Sequence, residues 1–182
     1  MYVGRRRVLV GIGTFGIAAL LPPVGHAARV PVAGFAPEPW FAETTFDLAK
    51  DLVAANAAGK TLALLWEQKG CYYCREMHRV NFQEPEIVAF GKKHFHIIQM
   101  DLWGDREFID FDGVERKESK IAAGRSVRGT PVTLFFGKTG DEVFRMPGYA
   151  KPPLFLAVYR YVVEKGYEMA SLRDWIKARG SN

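Results

Sequence analysis

Thr61-Leu62-Ala63-Leu64-Leu65-Trp66 carries no charged side chain, and five residues beyond it stands Cys71, followed by Cys74; these are the only 2 cysteines among 182 residues. A short apolar run without alternation fits a strand buried on both faces of a sheet. Such a strand needs a covering layer on each side, and the flanking sequence supplies helices for both. Phe46, Ala49, Leu52 and Val53 recur at helical spacing within 43–58, with Gly59 as the stop. After the cysteines, 72–82 and 84–90 read as further helices, and 94–100 is the next strand candidate. Helix, strand, helix, strand predicts an α/β chain with parallel strands and helical crossovers.

The second half reads differently. Residues 103–116 form a candidate hairpin insertion with Asp112-Gly113 as its turn. Asp110, Asp112 and Glu115 lack the remaining ligands of a calcium loop, so turn chemistry explains them better. A short helix over 117–124 precedes a strand candidate at 128–136 that contains Thr130-Pro131, and 142–146 is its hairpin partner. Leu154, Phe155, Val158, Tyr161 and Val162 mark a closing amphipathic helix, and Ser171 caps a last short one with Leu172, Trp175 and Ile176.

The first 27 residues have the layout of a secretory signal peptide: Arg5-Arg6-Arg7, an apolar run of 14 residues from Val8 to Leu21, and the small end Gly25-His26-Ala27. The run is shorter than the about 20 residues a membrane span needs. Arg5-Arg6-Arg7-Val8-Leu9 fits an ordinary basic start and a twin-arginine signal alike. Residues 28–39 are proline-punctuated and expected to be extended and loosely held, leaving 40–182 as the folded domain. Loss of residues 1–27 removes three arginines and no acid, taking the formal charge from +5 to +2. No basic footprint for nucleic acid is left.

Export permits disulfides. A structural staple gains stability with loop length, and Cys71 with Cys74 closes almost no loop. Tetrahedral zinc needs two further ligands of fixed spacing, and there is no third cysteine. Copper(I) with Cys71, Cys74 and Met77 or His78 is the better metal rival, since soft sulfur suits it. As a redox pair, cysteines three apart at a helix start lie about 5 to 6 Å apart, within disulfide range. The first faces unpaired N–H groups and the positive end of the helix dipole, a contribution of up to about 2 kcal/mol toward its thiolate. Cys71 is therefore the expected nucleophile and Cys74, one turn inward, the resolving thiol. No cofactor is expected.

A strand, then Cys71-Tyr72-Tyr73-Cys74 opening a helix, then Gly129-Thr130-Pro131 before another strand, resembles the thioredoxin superfamily over about residues 40–166. The resemblance implies a thioredoxin fold: a central mixed sheet flanked by helices, here with a hairpin insertion before a cis-Pro segment. It also implies that Cys71 and Cys74 form the redox-active disulfide and that Thr130 and Pro131 contact substrate backbone. Tyr72 and Tyr73 take the positions that tune the potential and meet substrate. Gly70-Cys71-Tyr72-Tyr73-Cys74-Arg75-Glu76-Met77-His78, the acidic insertion and the Thr-Pro step are similar to exported thioredoxin-like proteins of bacterial sulfur-oxidation (Sox) clusters.

That likeness implies a periplasmic protein-disulfide oxidoreductase, expected as a monomer. Its partners would be thiols, disulfides or persulfides of other periplasmic proteins, with a membrane thiol-electron relay as redox donor. Reduction of apocytochrome thiols for cytochrome c maturation and a copper-handling module are the alternatives. Two departures stand out. Cytosolic thioredoxins have a buried Asp below the pair and a Trp directly before it; here Leu64 or Leu65 and Gly70 stand there. Glu67 or Glu76 could substitute at a distance for that carboxylate as proton acceptor, but both are expected to be solvated; Trp66 and Met77 are expected to be core, and Tyr72-Tyr73 leaves the direction of electron flow open.

Overall fold

The computed structural model describes Met1 and residues 31–180. The segment read as a signal peptide lies outside the described residues, apart from Met1. The strand expected from the apolar run is β1 (Thr61–Glu67), and it occupies the centre of a four-stranded sheet in the order β2-β1-β5-β6. β2 (Phe95–Asp101) runs parallel to it, while β5 (Val132–Phe136) and β6 (Glu142–Pro147) continue antiparallel.

Strand parity divides the core into two layers. Leu62, Leu64 and Trp66 pack on one face with Leu48, Leu52 and Ala55 of α1 (Leu48–Ala57) and Ile121 and Ala122 of α4 (Glu118–Gly124). Ala63 and Leu65 pack on the other with Met77 of α2 (Tyr72–Arg79), Ile87 of α3 (Pro85–His94) and the apolar stripe of α5 (Pro152–Val163). Each fully buried Leu contributes about 1.5 to 3 kcal/mol, which is why β1 carries no charged residue before its last position. This is the mixed sheet flanked by helices that a thioredoxin fold requires. The insertion is also present, as β3 (Glu107–Ile109) paired antiparallel with β4 (Glu115–Lys117). Its acids serve the turn and nearby arginines: Asp112 accepts from the Val114 N–H and pairs with Arg116, and Asp110 pairs with Arg125. At the far end α6 (Leu172–Arg179) follows its Ser171 cap and buries Trp175.

Two expectations need correction. The first helix begins at Leu48, because Phe46 sits at a left-handed φ of 61°. Asp47 caps α1 by accepting from the N–H groups of Ala49 and Lys50, and buried Asp51 gathers the hydroxyls of Thr44 and Thr45. These local bonds outcompete a longer helix, while Phe46 still packs 5.1 Å from Phe108 between ring centroids.

Nor is the described part of the lead-in, from residue 31 on, loose; residues 28–30 lie outside the described residues. Val32 and Phe35 exchange backbone hydrogen bonds of 3.0 and 2.8 Å around Ala33 and Gly34, both at positive φ. That is the geometry of a tight hairpin turn. Val32 and Phe41 are buried, so residues 31–41 are strapped onto the body of the protein.

Candidate active site

β1 ends at Glu67, and a turn at 68–70 with Gly70 at φ 79° brings the chain to Cys71 at the N-cap of α2. The Cys71 sulfur accepts the N–H of Cys74 at 3.0 Å, filling a donor that the helix start leaves free. Cys71 and Cys74 are joined in a disulfide with their Cα atoms 5.3 Å apart. The two sulfurs are not equivalent, since Cys71 keeps 8% of its surface and Cys74 keeps 0%.

Val132 pairs with Trp66, so Thr130 and Pro131 lie at the sheet edge from which the cysteine turn departs. Their peptide bond is cis. The Pro131 carbonyl accepts the Gly148 N–H at 2.8 Å, and the next residue, Tyr149, stacks on Tyr73 with centroids 5.8 Å apart. Tyr73 thus ties the start of α2 to the Pro131 segment, and Tyr72 stands edge-on to Tyr73. Both tyrosines are more than half exposed, whereas the Thr130 hydroxyl is buried with no hydrogen-bond partner among the described residues. Sequence reasoning missed Trp103: its indole N–H donates to the Gln68 side chain at 3.1 Å, hanging an exposed ring from the insertion beside the cysteine turn. A tryptophan in a polar insertion was the available signal.

Glu67, expected to be solvated, has no exposed surface. As the residue after Ala63 and Leu65 on the same strand face it points under α2, where His78 meets it. His78 Nε2 lies 3.0 and 3.2 Å from the two Glu67 oxygens, and Nδ1 lies 2.8 Å from Glu38 of the lead-in. The Gln99 amide also donates to Glu67 through a short bond. Phe35 stacks on the His78 ring at 5.3 Å. Burial pulls the His78 pKa down, but the Glu67 carboxylate and then Glu38 outweigh it and leave it raised. Both signals were in the sequence, strand parity for Glu67 and the four-residue step from Cys74 for His78.

Glu76 does lie toward solvent, paired with Arg79, and Trp66 and Met77 are core. With Met77 packed into the core and both His78 nitrogens turned to carboxylates, the additional ligands of the copper reading are spent elsewhere. Among the described residues no group of three or more His, Cys, Asp and Glu is arranged to hold a metal ion, and no helix is long and apolar enough to cross a membrane.

The family model for the thioredoxin-like domain matches residues 48–163. Among curated proteins, the thiol:disulfide interchange protein DsbD of Pseudoalteromonas atlantica is 26% identical over 115 residues, 61% of this chain; the match spans 17% of that protein's length. Among solved structures, a thioredoxin-fold protein from Helicobacter pylori superposes with a TM-score of 0.62 at 20% identity, over 78% of this chain and 93% of that one. A thioredoxin from Thermus thermophilus gives a TM-score of 0.52 at 22% identity, over 76% and 91%. At these identities the solved structures speak to the fold.

Proposed function

This chain belongs to the thioredoxin-like domain family, and from that premise we propose that it is an exported thiol-disulfide oxidoreductase in which Cys71 attacks and Cys74 resolves. The observation that carries the reading is the asymmetry of the pair: the Cys71 sulfur caps α2 and keeps surface, while Cys74 has none. Helix N–H groups and the dipole stabilise negative charge on the outer sulfur.

In the reducing direction the Cys71 thiolate attacks one sulfur of a substrate disulfide. A Cys71–substrate bond forms, the substrate S–S bond breaks, and the departing sulfur leaves with the electron pair and takes a proton. Cys74 then attacks the Cys71 sulfur, re-forming the internal disulfide and releasing the second substrate thiol, so that two electrons have moved. Thr130 and Pro131 offer backbone to the substrate strand beside the pair, and Tyr72 and Tyr73 flank it. A persulfide presents the same S–S bond to Cys71.

The substrates are other periplasmic proteins, and a membrane thiol-electron relay returns the internal disulfide to dithiol. The name of the DsbD relative, a thiol:disulfide interchange protein, supports this chemistry. Service to a sulfur-oxidation system rests on the Gly70–His78 motif and the acidic insertion. The test is reduction of insulin disulfides by the purified, reduced protein. Activity that disappears in Cys71→Ser supports the reading, and full activity in that variant overturns it. Copper(I) retained stoichiometrically through dialysis, with no insulin reduction, would point to metal handling instead.

A further inference from the structure

Trp103 is 74% exposed, the most exposed aromatic side chain among the described residues, yet it is fixed at both ends. Its backbone N–H donates to the Asp101 carboxylate at 3.0 Å, and the Gly104 N–H returns to the Asp101 carbonyl at 3.1 Å. The Gly104 carbonyl accepts the Ser119 N–H at 3.2 Å, which fastens the turn to α4. Beneath it buried Glu118 accepts the Asp101 N–H and is held by Arg106; a Cβ at residue 104 would run into that carboxylate, so glycine stands there. At the other end the indole N–H donates to the Gln68 side chain, and the Gln68 carbonyl accepts the Cys71 N–H at 3.2 Å. One residue therefore links the ring to the outer cysteine. A ring held this way has little freedom left to lose when a partner covers it.

Beside the ring runs a groove of about 390 Å³, lined by Leu102, Trp103, Ser119, Ala123, Val127 and Arg128. Leu102 and Val127 are buried and give it an apolar floor. Arg128 stands two residues before Thr130, so the groove reaches from the cysteine turn to the segment with the cis peptide bond. Arg128 is its one charged lining residue, and it is exposed and forms no ion pair among the described residues. The neighbouring acids do not neutralise it: Asp101 is turned to the Trp103 N–H, Glu118 to Arg106, and Asp105 is not part of the wall. The groove thus offers an aromatic face, an apolar floor and an unanswered positive charge.

We propose that this groove selects the substrate: it takes an apolar side chain flanked by a carboxylate, from the polypeptide segment whose disulfide meets Cys71. The apolar side chain lies on the Trp103 indole over Leu102 and Val127, and the carboxylate pairs with the Arg128 guanidinium. Tryptophan and arginine are the side chains that most often carry binding energy at such contacts. The inference deepens the disulfide-exchange reading and rests on it.

The test gives the reduced protein disulfide-linked dimers of three short peptides, at physiological ionic strength. On both sides of the cysteine these carry Leu with Asp, Leu with Lys, or Gly with Ser. Values of kcat/KM are compared between peptides within each variant, so a general change in activity cancels. The parent should favour the Leu-Asp peptide over the Gly-Ser peptide at least about tenfold, as filling an apolar pocket allows. Trp103→Ala should cut that ratio at least about threefold, and Arg128→Glu should turn the preference from Leu-Asp to Leu-Lys. A merely structural role for Arg128 would produce no such inversion. A smaller parent preference, a smaller cut in Trp103→Ala, or a preference for Leu-Asp kept in Arg128→Glu overturns the inference. Failure of the exchange reading shows separately, as no reduction of any peptide or reduction that survives Cys71→Ser, and the inference falls with it.

Discussion

Glu67→Ala strikes the most concentrated polar contact in the protein. The substitution deletes the carboxylate that receives His78 at 3.0 and 3.2 Å and the Gln99 amide besides, in a place with no solvent to replace them. Breaking a buried charge pair from one side costs about 3 to 5 kcal/mol. For a domain of this size each kcal/mol is worth about 2 to 4 °C, so the midpoint of thermal unfolding should fall by roughly 6 to 20 °C at pH 6. The loss has a pH signature. His78 has a raised pKa in the fold, despite a burial effect in the opposite sense, because Glu67 and Glu38 face it. Its contribution is therefore complete below the ordinary histidine value of about 6.5 and fades as pH rises through the raised one. Without Glu67 the main cause of the rise is gone, so the gap between parent and variant should be widest near pH 6 and narrow toward pH 9. Urea and thermal unfolding of the oxidised proteins across that range measure it. A loss below about 1 kcal/mol at pH 6, or a gap that widens with pH, would refute the reasoning.

Phe35→Ala removes the half-buried ring stacked on His78 and should release the strap at residues 31–41, costing about 1 kcal/mol, less than the full burial of such a ring; limited proteolysis should then cut there, and an unchanged digest would contradict the packed lead-in. Tyr149→Ala deletes the stack on Tyr73, a pairing worth about 0.5 to 1.5 kcal/mol. Steady-state kinetics with a peptide disulfide should show KM rising several-fold with kcat nearly unchanged if these rings flank the substrate. Trp103→Phe keeps the apolar ring but loses the bond to Gln68, so stability should change by less than about 1.5 kcal/mol, as read by urea unfolding.

The legible parts of the fold were those in which local pattern and burial agree. The Thr61–Glu67 run reads as a two-sided strand because both of its faces are covered, and Cys71 at the start of α2 follows from the turn that Gly70 permits. The hairpin insertion showed through Asp112-Gly113. Phe46 misled because its spacing reflects packing on Phe108, while the carboxylates of Asp47 and Asp51 choose where the helix begins. The prolines of 28–39 read as a linker, since nothing local announces that Phe35 and Glu38 meet a histidine 40 or more residues away. Glu67 reads as solvated because carboxylates usually are; its strand parity points inward, but the partners that make its burial tolerable, His78 and Gln99, are brought to it by tertiary placement.

In the proposed mechanism Cys71 carries the substrate and Cys74 releases it. Cys74→Ser, incubated with a disulfide-bonded protein substrate and resolved on a non-reducing gel, should accumulate a covalent mixed disulfide that dithiothreitol dissolves, while Cys71→Ser should accumulate none. A mixed disulfide that forms through Cys74 in the Cys71→Ser variant, or none in Cys74→Ser, would contradict the account.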